Sequence, residues 1–314
     1  MSNNHIFQTT ALWTALITPL DNNGEVHTDD LVGLVHEQEQ AGNGLVILGS
    51  TGEGLNLSLK SKQRIIEIVS DCKPTVPVIA GVGGHDIEAT LSWIEFLETQ
   101  SIDGYLMVTP IYSKPGAVGQ YEWFKTLLDS VTKPAMLYNV PGRTAVGLSV
   151  EAVGRLSSHT NFGAIKESSA NCDNLRSYIQ AGKVPVYCGD DPMLSEYVSN
   201  GSCGLVSVAS NAWPAETAAY VSLALDGTLT MMDINLWKHA TMALFKASNP
   251  IPVKALMADQ NRISTPTVKT PLSSSDYTHV SELVEFSKQI RVWYENCRYF
   301  GRIQTNNNPL QNAS

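Results

Sequence analysis

Residues 45–54 read LVILGSTGEG. An apolar run with no polar interruption stops in a glycine-rich turn that carries hydroxyls and a carboxylate. A strand with one wet face alternates apolar and polar residues. A strand without alternation is buried on both faces, which is the condition of a parallel strand covered by helices. The same grammar recurs at 11–18 (ALWTALIT), 77–82 (PVIAGV), 104–109 (GYLMVT), 134–140 (PAMLYNV), 162–166 (FGAIK), 184–189 (VPVYCG) and 204–209 (GLVSVA). Between these runs lie segments whose apolar residues repeat at helical spacing. They include 29–41 (Leu31, Leu34, Val35), 61–71 (Ile65, Ile68, Val69) and 87–98 (Leu91, Ile94, Leu97). Pro77, Pro134 and Pro185 precede strands and end the helical connections.

This alternation predicts an α/β fold, a (β/α)8 barrel occupying residues 1–225 as the catalytic domain. The rival is a doubly wound sheet, which lacks its usual signatures here. No GxGxxG follows the first strand, and no phosphate-binding Walker loop occurs. After residue 225 the strand grammar stops. Segments 232–247, 250–260 and 276–298 read as helices, forming a small C-terminal helical extension over 226–303 that packs on the barrel or on a neighbour. Residues 304–314, QTNNNPLQNAS, read as a frayed tail.

The bulk numbers narrow the function. The chain has 314 residues, 43% of them hydrophobic and 16% charged, with a net charge of −9. That acidity, with no lysine/arginine cluster, argues against nucleic acid and anionic membrane partners. Cys72, Cys172, Cys188, Cys203 and Cys297 are scattered, which argues against a disulfide framework and a structural zinc site. The histidines are dispersed as well, so no metal site is expected. The start, MSNNHIFQTT, lacks the basic and apolar regions of a leader. No apolar run approaches the ~18 residues of a membrane span. The expectation is a cytoplasmic protein.

Barrel active sites lie where the strands end. The second run ends in GSTGEG (Ser50, Thr51), the fourth in TPIY (Tyr112), and the fifth in YNVPGRT (Tyr138, Arg143). The sixth ends on Lys166, the seventh on Gly189-Asp190-Asp191, and the eighth near Ser207 and Ser210. Lysine is seldom fully buried, so an apolar strand ending on one needs a reason. A neutral lysine attacks a carbonyl to form a Schiff base, an electron sink, and burial disfavours its charged form. The plain alternative is a strand-end lysine paired to Glu167 or a loop carboxylate. The GSTGEG turn suits a carboxylate or phosphate; equally it is a strand-to-helix turn with Ser58 capping the next helix. Tyr138 suits proton relay, or a core position. Arg143 suits a bidentate grip on a carboxylate, or the surface. Tyr112 reads as functional or as an interface tyrosine. Asp191, ahead of Pro192, reads as a helix N-cap more readily than as a cation ligand.

Together GSTGEG, YNVPGRT and IKES, with ITPL, PVIAGVG, VTPIY, CGDD and NPIPVKA, resemble the dihydrodipicolinate synthase family. The resemblance covers residues 10 to about 260, and the segment after about 262 matches less clearly. The family belongs to the class I pyruvate lyase superfamily, of which N-acetylneuraminate lyase is another member. The resemblance implies condensation of pyruvate with aspartate semialdehyde, without a cofactor. It implies that Lys166 forms the imine and that Tyr138 shuttles protons in a relay with Ser50 and Tyr112, the latter reaching in from a neighbouring subunit. It also implies that Thr51 holds the pyruvate carboxylate through its backbone N–H and that Arg143 binds the semialdehyde carboxylate. Gly189 and Val206 would line the pocket through their carbonyls. The implied assembly is a homotetramer built as a dimer of dimers, or a dimer.

Two departures from the family pattern stand out. Ser50 occupies a place commonly held by threonine in the synthases, and the sialic acid lyases also carry serine there. Arg143, answering a second carboxylate, favours the synthase. Where lysine-regulated members carry histidines and a tyrosine, this chain has Leu59, Lys62 and Ile111, which implies weak or no lysine inhibition. Two other readings stay open: a related pyruvate aldolase such as N-acetylneuraminate lyase or a hydroxy-oxo-acid aldolase, and a non-catalytic barrel that binds a 2-oxo acid and regulates.

Overall fold

The structure is a computed structural model and describes residues 5–303. The tail reading falls on residues 304–314, outside the described residues.

Eight parallel strands close into a barrel in sequence order. They are β1 (Leu12–Ala15), β2 (Gly44–Ile47), β3 (Val78–Val82), β4 (Gly104–Val108), β5 (Ala135–Asn139), β6 (Phe162–Glu167), β7 (Val186–Cys188) and β8 (Leu205–Ser207). Each falls within one of the apolar runs or within a residue of it. β8 returns to β1, with Leu12 opposite Leu205 and Thr14 opposite Ser207. The helices expected from periodicity span Thr28–Ala41, Leu59–Cys72 and Ile87–Glu98. Ser58 caps the second of these, its side chain accepting from the Ser61 N–H.

The absence of alternation has a direct explanation. Side chains along each strand alternate between two dry compartments. Trp13, Val46, Ile79, Leu106, Met136, Tyr138, Ala164, Tyr187 and Val206 point into the barrel. Leu12, Leu45, Ile47, Ala135, Leu137, Phe162 and Ile165 pack beneath the helices. The N-terminal helix His5–Thr9 closes the bottom. Its Phe7 packs against Trp13 at 5.5 Å between ring centroids. The Tyr187 hydroxyl lies 2.7 Å from the carbonyls of both Phe7 and Thr10.

Beyond the barrel, helices Met231–Ala243, Ile251–Asp259 and Ser281–Tyr299 cover one side and reach the strand ends. Trp237 stacks on Tyr220 at 4.3 Å and donates its indole N–H to the Asp191 carbonyl at 3.1 Å. The Trp213 indole donates to Ser287 at 2.9 Å. Among the described residues, no helix is long and apolar enough to cross a membrane.

Candidate active site

Tyr138 and Lys166 face each other in register across β5 and β6. Register partners project to the same side of a sheet, and here that side is the barrel interior. The Lys166 Nζ lies 4.4 Å from the centroid of the Tyr138 ring. Lys166 is 5% exposed and Tyr138 6%. The next register pair, Asn139 and Glu167, points the opposite way. Asn139 donates to a Glu167 carboxylate oxygen at 2.6 Å, and the other oxygen accepts the Ser169 N–H at 2.7 Å. Burial pushes the Glu167 carboxyl up, while Ser169 and Asn139 hold it down. Glu167 is therefore committed to the outer layer and is not the counter-ion of Lys166.

Lys166 opens into a cavity of about 190 Å³ at the strand ends, lined also by Ser50, Thr51, Tyr138, Asp190 and Asn249. A second chamber of about 310 Å³ continues outward past Ser50, Tyr138 and Arg143 toward Lys62, Trp93 and Ile111. Gly189 makes room for the amine. A Cβ there would lie 2.0 Å from the Ser168 Oγ and 2.7 Å from the Lys166 Cε. The Gly189 carbonyl accepts from the Ser168 hydroxyl at 3.0 Å.

The GSTGEG turn is held tightly. Leu48 and Glu53 both adopt positive φ, 59° and 57°, a conformation uncommon outside glycine. Gly54 is required because a Cβ would sit 2.0 Å from the Leu48 carbonyl oxygen. Thr51 is buried and its hydroxyl accepts from the Asn249 side-chain N–H at 2.9 Å. Tyr138 is fixed at its backbone, where its carbonyl accepts from the Thr109 hydroxyl at 3.1 Å and the Thr109 N–H at 3.2 Å.

Six of the sequence-predicted residues therefore line the inner cavity: Lys166, Tyr138, Ser50, Thr51, Arg143 and Gly189. Val206 points into the barrel interior, and Val208, two residues on, is the one that lines the cavity. Tyr112 is 87% exposed and is in the wall of neither chamber. It also adopts φ 66°.

Residues 8–290 match the Dihydrodipicolinate synthetase family. The chain belongs to that family. It is 44% identical over 290 residues to the 4-hydroxy-tetrahydrodipicolinate synthase of Wolbachia pipientis wMel, covering 92% of this chain and 98% of the relative. A solved dihydrodipicolinate synthase from Bacillus anthracis superposes with a TM-score of 0.83 at 30% identity, covering 89% of this chain and 97% of the other. The chloride-inhibited dihydrodipicolinate synthase of Acinetobacter baumannii, solved with pyruvate, matches with a TM-score of 0.80 at 28% identity over 94% of this chain and 99% of that one.

Within this dihydrodipicolinate synthetase family member, Asp191 departs from its sequence reading. Asp191 does not cap the short helix it begins. Its carboxylate instead accepts from the Ser207 hydroxyl at 2.5 Å and from the backbone N–H groups of Val208 and Ala209, at 2.8 and 3.3 Å, capping the turn after β8. Complete burial pushes its carboxyl up to about 6, against those hydrogen bonds. Asp190 lines the Lys166 cavity; burial raises its carboxyl and the Lys166 charge lowers it. Asn249 was not singled out from the sequence. Its only signal is its place at the head of the NPIPVKA segment.

Proposed function

We propose that this chain is a 4-hydroxy-tetrahydrodipicolinate synthase, a Schiff-base lyase that condenses pyruvate with L-aspartate 4-semialdehyde in lysine and diaminopimelate biosynthesis. The observation that carries the reading is the Lys166 amine, enclosed at the strand ends beside the Tyr138 ring with Arg143 on the same cavity wall.

The chemistry follows from the groups present. The Lys166 nitrogen adds to the pyruvate ketone, and the resulting carbinolamine loses its oxygen as water. Tyr138, with Ser50 alongside, moves the protons this exchange requires. The protonated imine is the electron sink that lets the methyl group lose a proton and become an enamine. The enamine carbon attacks the semialdehyde aldehyde, and the substrate's amino group then displaces Lys166 as the ring closes. Thr51 receives the pyruvate carboxylate in the GSTGEG turn, and Arg143 receives the carboxylate of the second substrate. Gly189 and the end of β8 near Val206 shape the wall opposite. Tyr112 acts in the site of a neighbouring copy, which makes the working form at least a dimer and suits the expected tetramer. The barrel over 1–225 carries the reacting groups, the 226–303 extension walls the site, and the enzyme works in the cytoplasm.

Arg143 favours the synthase over the sialic acid lyase reading, because only the synthase brings a second substrate carboxylate close to the new bond. Borohydride reduction with pyruvate, followed by peptide mass mapping, tests the reading. Label confined to Lys166, with turnover of aspartate semialdehyde and none of N-acetylneuraminate, is expected. An unmodified Lys166 in folded protein sinks it.

A further inference from the structure

Asn249 comes from outside the barrel, between helices Met231–Ala243 and Ile251–Asp259, yet it touches both groups assigned to anion binding. Its side-chain Nδ2 lies 2.9 Å from the Thr51 Oγ1. Its backbone carbonyl accepts from the Arg143 guanidinium at 3.3 Å. It lines both the inner cavity and the outer chamber.

The polarity of the first contact matters. An amide nitrogen only donates, so the Thr51 oxygen is the acceptor there. The Thr51 proton is then left to point elsewhere, and Thr51 lines the cavity of Lys166. The other end of the same amide, Oδ1, is buried and without a hydrogen-bond partner among the described residues. An unpaired buried acceptor is destabilising. Packing alone therefore does not account for an asparagine at this position, whereas presenting an N–H to Thr51 does.

We propose that Asn249 is a positioning residue that turns the Thr51 hydroxyl into a donor toward the carboxylate of the ketone substrate and steadies Arg143 through its backbone. The inference rests on the proposed Schiff-base reading. It adds that the C-terminal region sets the anion-binding geometry of the site. Changing the Asn249 side chain touches the Thr51 arm and leaves the carbonyl that holds Arg143 in place.

The experiment measures the pyruvate concentration that half-saturates borohydride trapping at Lys166, together with semialdehyde saturation in turnover. Asn249→Ala is expected to raise the pyruvate half-saturation about tenfold, the effect of one lost hydrogen bond to a polar group serving an anion. Asn249→Asp, nearly the same shape, is expected to raise it further, because a carboxylate claims the Thr51 proton and adds negative charge beside the substrate. Adding Asn249→Ala to Thr51→Val is expected to change little more. Should Asn249→Ala fail to fold, the Asp variant and the Thr51→Val background carry the test. Half-saturation within about twofold of wild type in both Asn249 variants, set against the expected hydrogen-bond effect, would overturn the inference. So would an equal shift in pyruvate and semialdehyde saturation, the mark of a merely structural role. A wild-type protein that traps no pyruvate would instead remove the Schiff-base reading itself.

Discussion

Glu53 and Lys254 form an ion pair with both side chains shut off from solvent, the ammonium 2.5 Å from the carboxylate. Glu53 sits in the GSTGEG turn, and Lys254 sits on the helix Ile251–Asp259. The other Glu53 oxygen accepts the Lys269 N–H at 2.5 Å, and Lys254 also donates to the Thr267 carbonyl at 2.8 Å. The turn that carries Ser50 and Thr51 is thereby clamped to the C-terminal region. Burial pulls the Lys254 amine down, and Glu53 pushes it back up.

Removing one member of a buried pair strands the other charge. Lys254→Met is expected to lower unfolding free energy by about 3–5 kcal/mol, measured by urea denaturation. Glu53→Gln together with Lys254→Met should recover part of that loss, since no charge is then left unpaired. A single Lys254→Met variant as stable as wild type would show that the pair holds nothing together.

Arg143 is exposed, and its guanidinium contacts the Asn249 carbonyl at 3.3 Å. Its assigned ligand is the second substrate's carboxylate, which arrives after the imine has formed. Arg143→Ala is expected to raise the KM for aspartate semialdehyde by about 10- to 100-fold, the range for a lost charge-assisted hydrogen bond. Trapping of pyruvate on Lys166 should be unchanged. Equal damage to both would remove the assignment.

Much of this site was legible because it follows from strand period and strand ends. The barrel shows in the eight unbroken apolar runs, since both compartments flanking each strand are dry. The separation of Lys166 from Glu167 is a consequence of the two-residue period. What was not legible depends on contacts between distant segments. Asn249 meets Thr51 across 198 residues of sequence. The sequence around Asp191 matches a helix cap because capping is a local pattern, whereas its carboxylate binds the turn after β8. No local pattern contains the Ser207, Val208 and Ala209 donors that claim it.

Gly189 tests how closely the lysine is packed. The Cβ of Gly189→Ala would meet the Ser168 Oγ at 2.0 Å and the Lys166 Cε at 2.7 Å, separations no side chain tolerates without movement. The expected outcome is a folded protein whose kcat falls at least about tenfold, because small displacements of a reacting group are costly. Far- and near-ultraviolet circular dichroism monitor the fold and a steady-state assay the rate. Unchanged kcat would mean that the Lys166 side chain has room to spare.

Lysine regulation provides a further check. Leu59 is 56% exposed, and Lys62 holds its ammonium 4.7 Å above the Trp93 ring at the edge of the outer chamber. Burial lowers the Lys62 amine. A free lysine ligand would find a like charge and apolar Ile111 where acceptors are needed. Turnover is therefore expected to be insensitive to submillimolar lysine. Strong inhibition in that range would show that acceptors elsewhere in the chamber suffice.

Asp191 makes the stability of the protein depend on pH with a defined sign. Burial pushes its carboxyl up to about 6 in the fold from an ordinary 3.8, because it disfavours the charged form more than the Ser207, Val208 and Ala209 contacts favour it. Between those two values the folded state binds more protons than the unfolded state, so stability falls as pH rises through the window. The contribution is fully present below 3.8 and is lost above about 6; at about 1.36 kcal/mol per unit it amounts to roughly 3 kcal/mol. Asp191→Asn cannot ionise. Its amide oxygen can accept from Val208, and its nitrogen can donate to the Ser207 hydroxyl. Unfolding free energies measured from pH 4 to pH 7 should therefore shift in favour of the variant as pH rises. A constant difference between the two proteins across that range would show that Asp191 titrates alike in both states.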